Sequence, residues 1–165
     1  MALKVSYKSA LSEADQQVRN IEKSMLNRMI RGFETFVKNA RLSVNIDAGS
    51  FPKGDYINRT KNLRNSIGYV IYKDGVAIRE NIKGSGDGLA AVKMALAQIS
   101  TKKGYVGVGI AGMNYASYLE SLGYNVITSQ GIVLIKDLEK SLKRLEKKTP
   151  GEINVIAQGA SSRFK

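Results

Sequence analysis

Cysteine and histidine are both missing from this chain. Their absence excludes disulfides, thiolate chemistry, histidine metal sites and the usual general base. Acids are scarce as well, 14 Asp and Glu against 26 Lys and Arg, and they are scattered. A metal site made of carboxylates alone has no cluster to start from, and no convergent acid pair is set up for catalysis. We therefore expect a non-enzyme with no cofactor, no metal and no small-molecule substrate. Long hydrophobic runs are also lacking: nothing approaches the ~18 apolar residues that mark a membrane-spanning helix. The opening stretch, MALKVSYKSALSEADQQ, has no apolar core of the signal-peptide kind. The expectation is a protein assembled inside a cell, without membrane contact.

What is present is positive charge. The formal net charge is +12 and the pI about 9.9, a balance that favours nucleic acid, an acidic protein face or a membrane surface and does not choose among them. The length, 165 residues, is that of one ordinary domain, and 43% hydrophobic content supplies a core. We read residues 1–149 as a single α+β domain and 150–165 as a C-terminal tail.

Hydrophobic spacing predicts a long helix over about 12–42. Val18, Ile21, Met25, Met29, Phe33, Phe36 and Ala40 recur every three or four residues, and Leu26, Ile30 and Val37 widen that face. Ser12 and Asp15 are placed to cap its start. A helix so long exceeds what a small sheet requires and suggests packing on a neighbour as well, although a simple long core helix is the more common case. Residues 45–60, with Gly49, Pro52 and Gly54, read as a long loop. A helical turn follows at TKNLRNS. The stretch IGYVIYKDGVAIRE is a hairpin, with Ile67, Tyr69 and Ile71 alternating on one strand and Val76 and Ile78 on the other. Its Asp74–Gly75 pair suits a turn with positive φ. KGSGDG at 83–88 precedes a second helix over about 89–100, with Leu89, Val92, Leu96 and Ile99 on one face. GYVGVGIA at 104–111 is a strand whose glycines permit close backbone approach. A short helix, a strand after Gly123 and a final helix with Ile135, Leu138, Leu142 and Leu145 on one stripe complete the domain. The fold expected is α+β: N- and C-terminal helices packed on a small, mainly antiparallel sheet of about four strands.

Four features are candidate sites. The glycines of KGSGDGLAAVK resemble a phosphate cradle, but Walker spacing is absent and a flexible connector is the better reading. Glu120 is the one charged residue in NYASYLESLGYNVIT, with no sequence neighbour to tune it, so a contact surface is a better reading than a catalytic acid. Lys136, Lys140, Lys143, Arg144, Lys147 and Lys148 on the last helix could face DNA phosphates. Interleaved Asp137, Glu139 and Glu146 favour a solvated helix face laced with ion pairs. Arg59, Lys61 and Arg64 cluster where the long loop meets the helical turn, and DNA and an acidic neighbour remain open as partners.

Two segments together resemble a known family. Phage tail-completion proteins, also called head–tail joining or minor neck proteins, carry a D-x-T-G-x-L-R-x-S-I pattern before a hairpin. Here NRTKNLRNSIGYVIYKDG occupies that place at 58–75, with Lys61–Asn62 where glycine is usual after the threonine. The family also shows Y-A-x-Y-[VL]-E-x-G in its last third, and YASYLESLG at 115–123 is similar. The family's proline-bearing run before the last helix is replaced by YNVITSQGIVLIKDLEKSL. Element order matches over most of residues 12–148.

The resemblance implies a non-enzymatic virion subunit, assembled in host cytoplasm. It would join the head or portal to the tail as part of a ring. The partners implied are copies of itself, portal or other neck and tail proteins, and non-specific contact with packaged DNA. On that reading Tyr115, Tyr118, Glu120 and Tyr124 form a turn that meets the adjacent subunit, Arg64 and Ser66 fix the turn entering the hairpin, and these two with Arg59 are further interface candidates. Residues 45–60 and the tail would be docking arms. Lys140, Lys143, Arg144, Lys147 and Lys148 would face DNA. The alternative is a basic nucleic-acid-binding module of a phage or mobile element.

Overall fold

The computed structural model describes residues 7–42, 62–82, 103–113 and 115–147, with side chains from Asp15 onward. The expected loop at 45–60, the glycine segment and helix at 83–100, and the tail at 150–165 lie outside the described residues, as do Arg59 and Lys148. The architecture is α+β. Helix α1 (Tyr7–Leu42) and helix α2 (Asn62–Ser66) precede strands β1 (Ile67–Lys73) and β2 (Val76–Asn81). Strand β3 (Tyr105–Ala111), helix α3 (Ala116–Ser121) and helix α4 (Thr128–Glu146) follow.

Helix α1 starts earlier than its expected cap. Ser12 and Asp15 lie within it, because nothing in YKSAL stops a helix from running on from Tyr7. Its C-terminal half carries the core: Met29, Phe33, Phe36, Val37 and Ala40 are buried, and Leu26 and Ile30 pack beside them. Val18, on the same periodic face, is 55% exposed. The helix therefore overhangs its own core at the N-terminal end.

The sheet has three antiparallel strands in the order β2-β1-β3, one fewer than expected. The missing strand is the one placed after Gly123. Tyr124–Ile127 instead runs without strand pairing into α4, for a reason given below. The hairpin turn is as read: Asp74 and Gly75 have φ of 50° and 84°, the pair of positive angles that matches the twist of a two-residue turn. The register differs. Ile71 pairs with Arg79 but Tyr72 pairs with Ala77, so Ile78 is an extra, bulged residue. Ile78 is 41% exposed, and Val76, paired with Lys73 beside the turn, is 65% exposed, so neither joins the core. Strand β1, paired on both sides, is buried from Ile67 to Ile71.

The glycines of β3 set the distance between α1 and the sheet. Ile71 pairs with Gly107 and Tyr69 with Gly109, on the face that α1 covers. A Cβ on Gly107 would overlap Phe33 Cε2 and lie 2.5 Å from its Cζ; one on Gly109 would meet Phe36 at 2.8 Å. Two phenylalanine rings thus fill the places of two β3 side chains. Phe33 stacks on Tyr69 at 5.3 Å and meets Phe36 edge-on at 6.4 Å, both favourable ring geometries.

Helix α4 closes the other flank of α1. Leu134, Leu142 and Leu145 are buried; Ile135 and Leu138, from the expected stripe, are half-buried. Gly32 admits Leu134 and Leu138, each with an atom 3.0 Å from where a Cβ would sit. Arg28 Nη1 donates to Ser141 Oγ across the pair at 2.8 Å. Gly131, early in α4, has nothing within 4 Å of its absent Cβ. Glycine costs a helix roughly 0.5–1 kcal/mol relative to alanine. Gly131→Ala should therefore raise stability by about that much, read as a higher urea midpoint at unchanged slope.

Candidate functional site

The segment from Tyr115 to Thr128 is built around one carboxylate. Glu120 Oε1 accepts from the backbone N–H of Val126 at 3.0 Å, Ile127 at 2.7 Å and Thr128 at 3.0 Å. These are the unpaired donors at the start of α4, where the helix dipole also favours negative charge. Asn125 Oδ1 adds to the cap, accepting from Ser129 Oγ at 2.7 Å and Ser129 N at 3.3 Å. This is why no strand forms after Gly123: its backbone donors turn inward to Glu120. The lone acid of the neutral segment acts within its own fold. Sequence reasoning missed Asn125, although an Asn just before a helix is a recognisable cap signal.

Helix α3 is pinned on its inner side. Ala116 and Leu119 pack with Leu63 and Val126 in a small second core. At its end Gly123 adopts φ 85°, with Gly123 N donating to Glu120 O and Tyr124 N donating to Leu119 O, both at 3.0 Å. That paired arrangement is a tight C-terminal stop that favours glycine. The outer side carries Tyr115, Tyr118, Leu122 and Tyr124, exposed by 40%, 62%, 55% and 38%. Tyr115, Tyr118 and Leu122 follow helical spacing, so they share one side. The result is a rigidly held, uncharged patch on a strongly basic protein.

The expected turn residues divide. Ser66 is buried; its Oγ donates to Leu63 O at 2.8 Å and accepts from Gly112 N at 3.1 Å. It ties α2 to the end of β3, fixing the turn into the hairpin, and offers no surface. Arg64 is half-exposed beside Arg41. Arg41 Nη2 donates to Ile67 O at 2.6 Å, and its buried Nε has no hydrogen-bond partner. Burial, then the nearby Arg64 charge, hold the Arg41 guanidinium below its ordinary pKa, against a weaker pull from Glu34.

On α4, Lys136, Lys140, Lys143, Arg144 and Lys147 are all exposed. At about 100° per residue the four lysines fall on one stripe, opposite buried Leu134, Leu142 and Leu145. Asp137 and Glu139 fall to either side of it. The ion pairs expected for these two acids do not form among the described residues. Two ion pairs instead tie α1 to the sheet: Lys73–Glu22 at 2.8 Å and Arg79–Glu34 at 3.8 Å. Between α1 and α4 runs an open groove of about 250 Å³, lined partly by Arg28, Arg31, Gly32 and Asp137.

Glu34 is the electrostatic centre of the sheet side. It accepts from Tyr69 Oη at 2.7 Å and from Asn81 Nδ2 at 3.0 Å. Burial first, and then Glu34, push the Tyr69 phenol above its ordinary value of 10.0. The neutral phenol is therefore favoured in the fold. Its contribution is complete below the unfolded phenol's pKa and is lost as pH rises from there through the higher folded value. Stability should therefore fall as pH rises above about 10, compared with its value near pH 9. In Tyr69→Phe the fall should be smaller, as read from urea midpoints in the two pH ranges.

Among the described residues no three Asp, Glu, His or Cys side chains group to hold a metal, and no helix is long and apolar enough to cross a membrane. Comparison with protein-family models, curated proteins and solved structures finds no match for this chain.

Proposed function

We propose that this chain is a structural subunit of a bacteriophage virion, part of a ring-shaped connector that joins head to tail. The observation that carries the reading is the exposed Tyr115–Tyr118–Leu122–Tyr124 patch, held rigid from beneath by Glu120 and Gly123. Tyrosines suit a contact surface because the ring buries area while the hydroxyl keeps a hydrogen bond. A second point supports it. The two segments that resemble tail-completion proteins are 40 or more residues apart in sequence, yet Leu63 of one packs with Ala116 of the other. The overhang of α1 past its core offers a further contact. Portal, neck and tail proteins would be the neighbours, and the virion neck the location.

The test is to produce particles without this chain and image them. Heads and tails that fail to join, and that join when the chain is restored, are the expected result. Normal particles formed in its absence would overturn the proposal. The second reading, a nucleic-acid-binding module, is favoured by the exposed lysine stripe on α4. It requires duplex binding by the isolated chain that weakens steeply with salt. Each of Lys136→Gln, Lys140→Gln, Lys143→Gln and Lys147→Gln should then reduce the salt slope by about 1.

A further inference from the structure

We infer that the tyrosine patch on α3 docks onto the β2 edge of the hairpin, around Val76 and Ile78, of a second copy of this chain. The inference rests on the assembly reading above and names the partner of its surface. Three observations select that occupant.

The first is charge. Two copies of a molecule with formal charge +12 repel unless they meet where charge is low. Residues 115–128 contain one charged side chain, Glu120, and its carboxylate is turned to backbone N–H groups. The hairpin edge is also locally balanced: Glu22 pairs with Lys73, and Glu34 lies 3.8 Å from Arg79. The lysine stripe of α4 offers no such relief.

The second is matching surface. Val76 and Ile78 are 65% and 41% exposed on an edge strand, Val76 beside the turn and Ile78 as the bulged residue. The tip is rigid, because Asp74 Oδ1 accepts from Gly104 N at 2.8 Å while Asp74 N donates to Gly104 O at 3.0 Å. Ordered apolar residues meet an aromatic patch with little loss of conformational freedom.

The third is placement. Ile67 pairs with Ala111 at the end of the sheet that leads into α3, whereas Lys73 pairs with Val76 at the other end. The strand between them spans about 20 Å. One molecule cannot close its own two surfaces on each other, so the pairing runs head to tail between copies. A head-to-tail contact extends into a closed ring or an open chain.

The four exposed side chains of the patch present on the order of 400 Å², against about 800 Å² per partner in a stable standard interface. The contact between two free copies is therefore weak and is best trapped covalently. The chain has no cysteine, so disulfide mapping needs no background removal. Tyr118→Cys and Val76→Cys are both at exposed sites and leave the core intact. Under mild oxidation, a mixture of the two single variants should give linked dimer several-fold above either alone. The double variant should give a ladder beyond dimer. Tyr118→Cys linking to itself as well as to Val76→Cys would replace this pairing with a face-to-face one. So would overturn it a yield no greater than that of Tyr118→Cys mixed with Lys140→Cys. A chain required for head–tail joining that gives no 76–118 link refutes this contact and leaves the assembly reading standing. A chain dispensable for joining refutes the assembly reading whatever the disulfides show.

Discussion

Gly107→Ala is expected to destabilise the protein by about 3 kcal/mol or more, at the upper end of the cost of overpacking a core. The new methyl would occupy the space of Phe33 Cε2 and Cζ. Small overlaps are often relieved by a flexible side chain swinging aside, but Phe33 has no such freedom. It is 4% exposed, stacked on Tyr69 and edge-on to Phe36. Relief must come from lifting α1 off β3, which loosens every contact along that layer. Gly109→Ala, with its nearest approach 2.8 Å to Phe36, should cost less. Urea denaturation of both variants measures the difference. Phe33→Leu made together with Gly107→Ala should recover part of the loss, because the two positions share one volume. Gly107→Ala with a stability within about 0.5 kcal/mol of the parent, as for an ordinary surface change, would mean that the rings do not sit over β3 as described.

Glu120→Ala is expected to cost about 3 kcal/mol. Three backbone donors lose one acceptor, and leaving a buried donor unsatisfied costs roughly 1–3 kcal/mol. Val126 is fully buried and Ile127 half-buried, so water replaces the acceptor well only at exposed Thr128. Glu120→Gln keeps an oxygen in place but removes the charge from the helix start, and should cost about half as much. Both variants raise the net positive charge of the whole chain by one. The difference between them therefore isolates the hydrogen bonds from general repulsion. Amide exchange of Val126, Ile127 and Thr128 should quicken in Glu120→Ala and much less in Glu120→Gln. Equal stability of the two variants would show that the carboxylate acts only through its charge.

The tyrosine segment shows where sequence reasoning succeeds and stops. A lone acid among tyrosines is visible in NYASYLESLGYNVIT, and so is the short helix with its glycine stop. The direction of the carboxylate is not visible, because the donors it meets lie six to eight residues on and are backbone groups common to every residue. The same segment was expected to hold a strand, since Tyr, Val, Ile and Thr favour extended backbone. Capping of α4 overrode that preference. In β2, alternation set Val76 and Ile78 opposite the apolar side of β1, but a bulge at Ile78 gives the place beside Ile71 to Arg79 and leaves Val76 beside Lys73 at the exposed turn end. On α4, interleaved acids suggested a neutralised face. The face is solvated as read, and Asp137 and Glu139 flank the lysine stripe without pairing with it among the described residues.

Most of the element types were legible in the sequence alone. Periodicity marked α1 and α4, Asp74–Gly75 marked the hairpin, the glycines of GYVGVGIA marked a close approach, and the missing cysteine and histidine removed whole classes of reaction. These are local or compositional properties, set by a few neighbouring residues and their backbone hydrogen bonds. Only the tertiary structure decided that Phe33 and Phe36 sit over Gly107 and Gly109, that Ser66 and Glu120 face inward, and that the tyrosines and the hairpin edge are left exposed at opposite ends of the sheet. Such outcomes depend on contacts between residues tens of positions apart, and their energies are settled by how volumes and donors fit once the chain has packed.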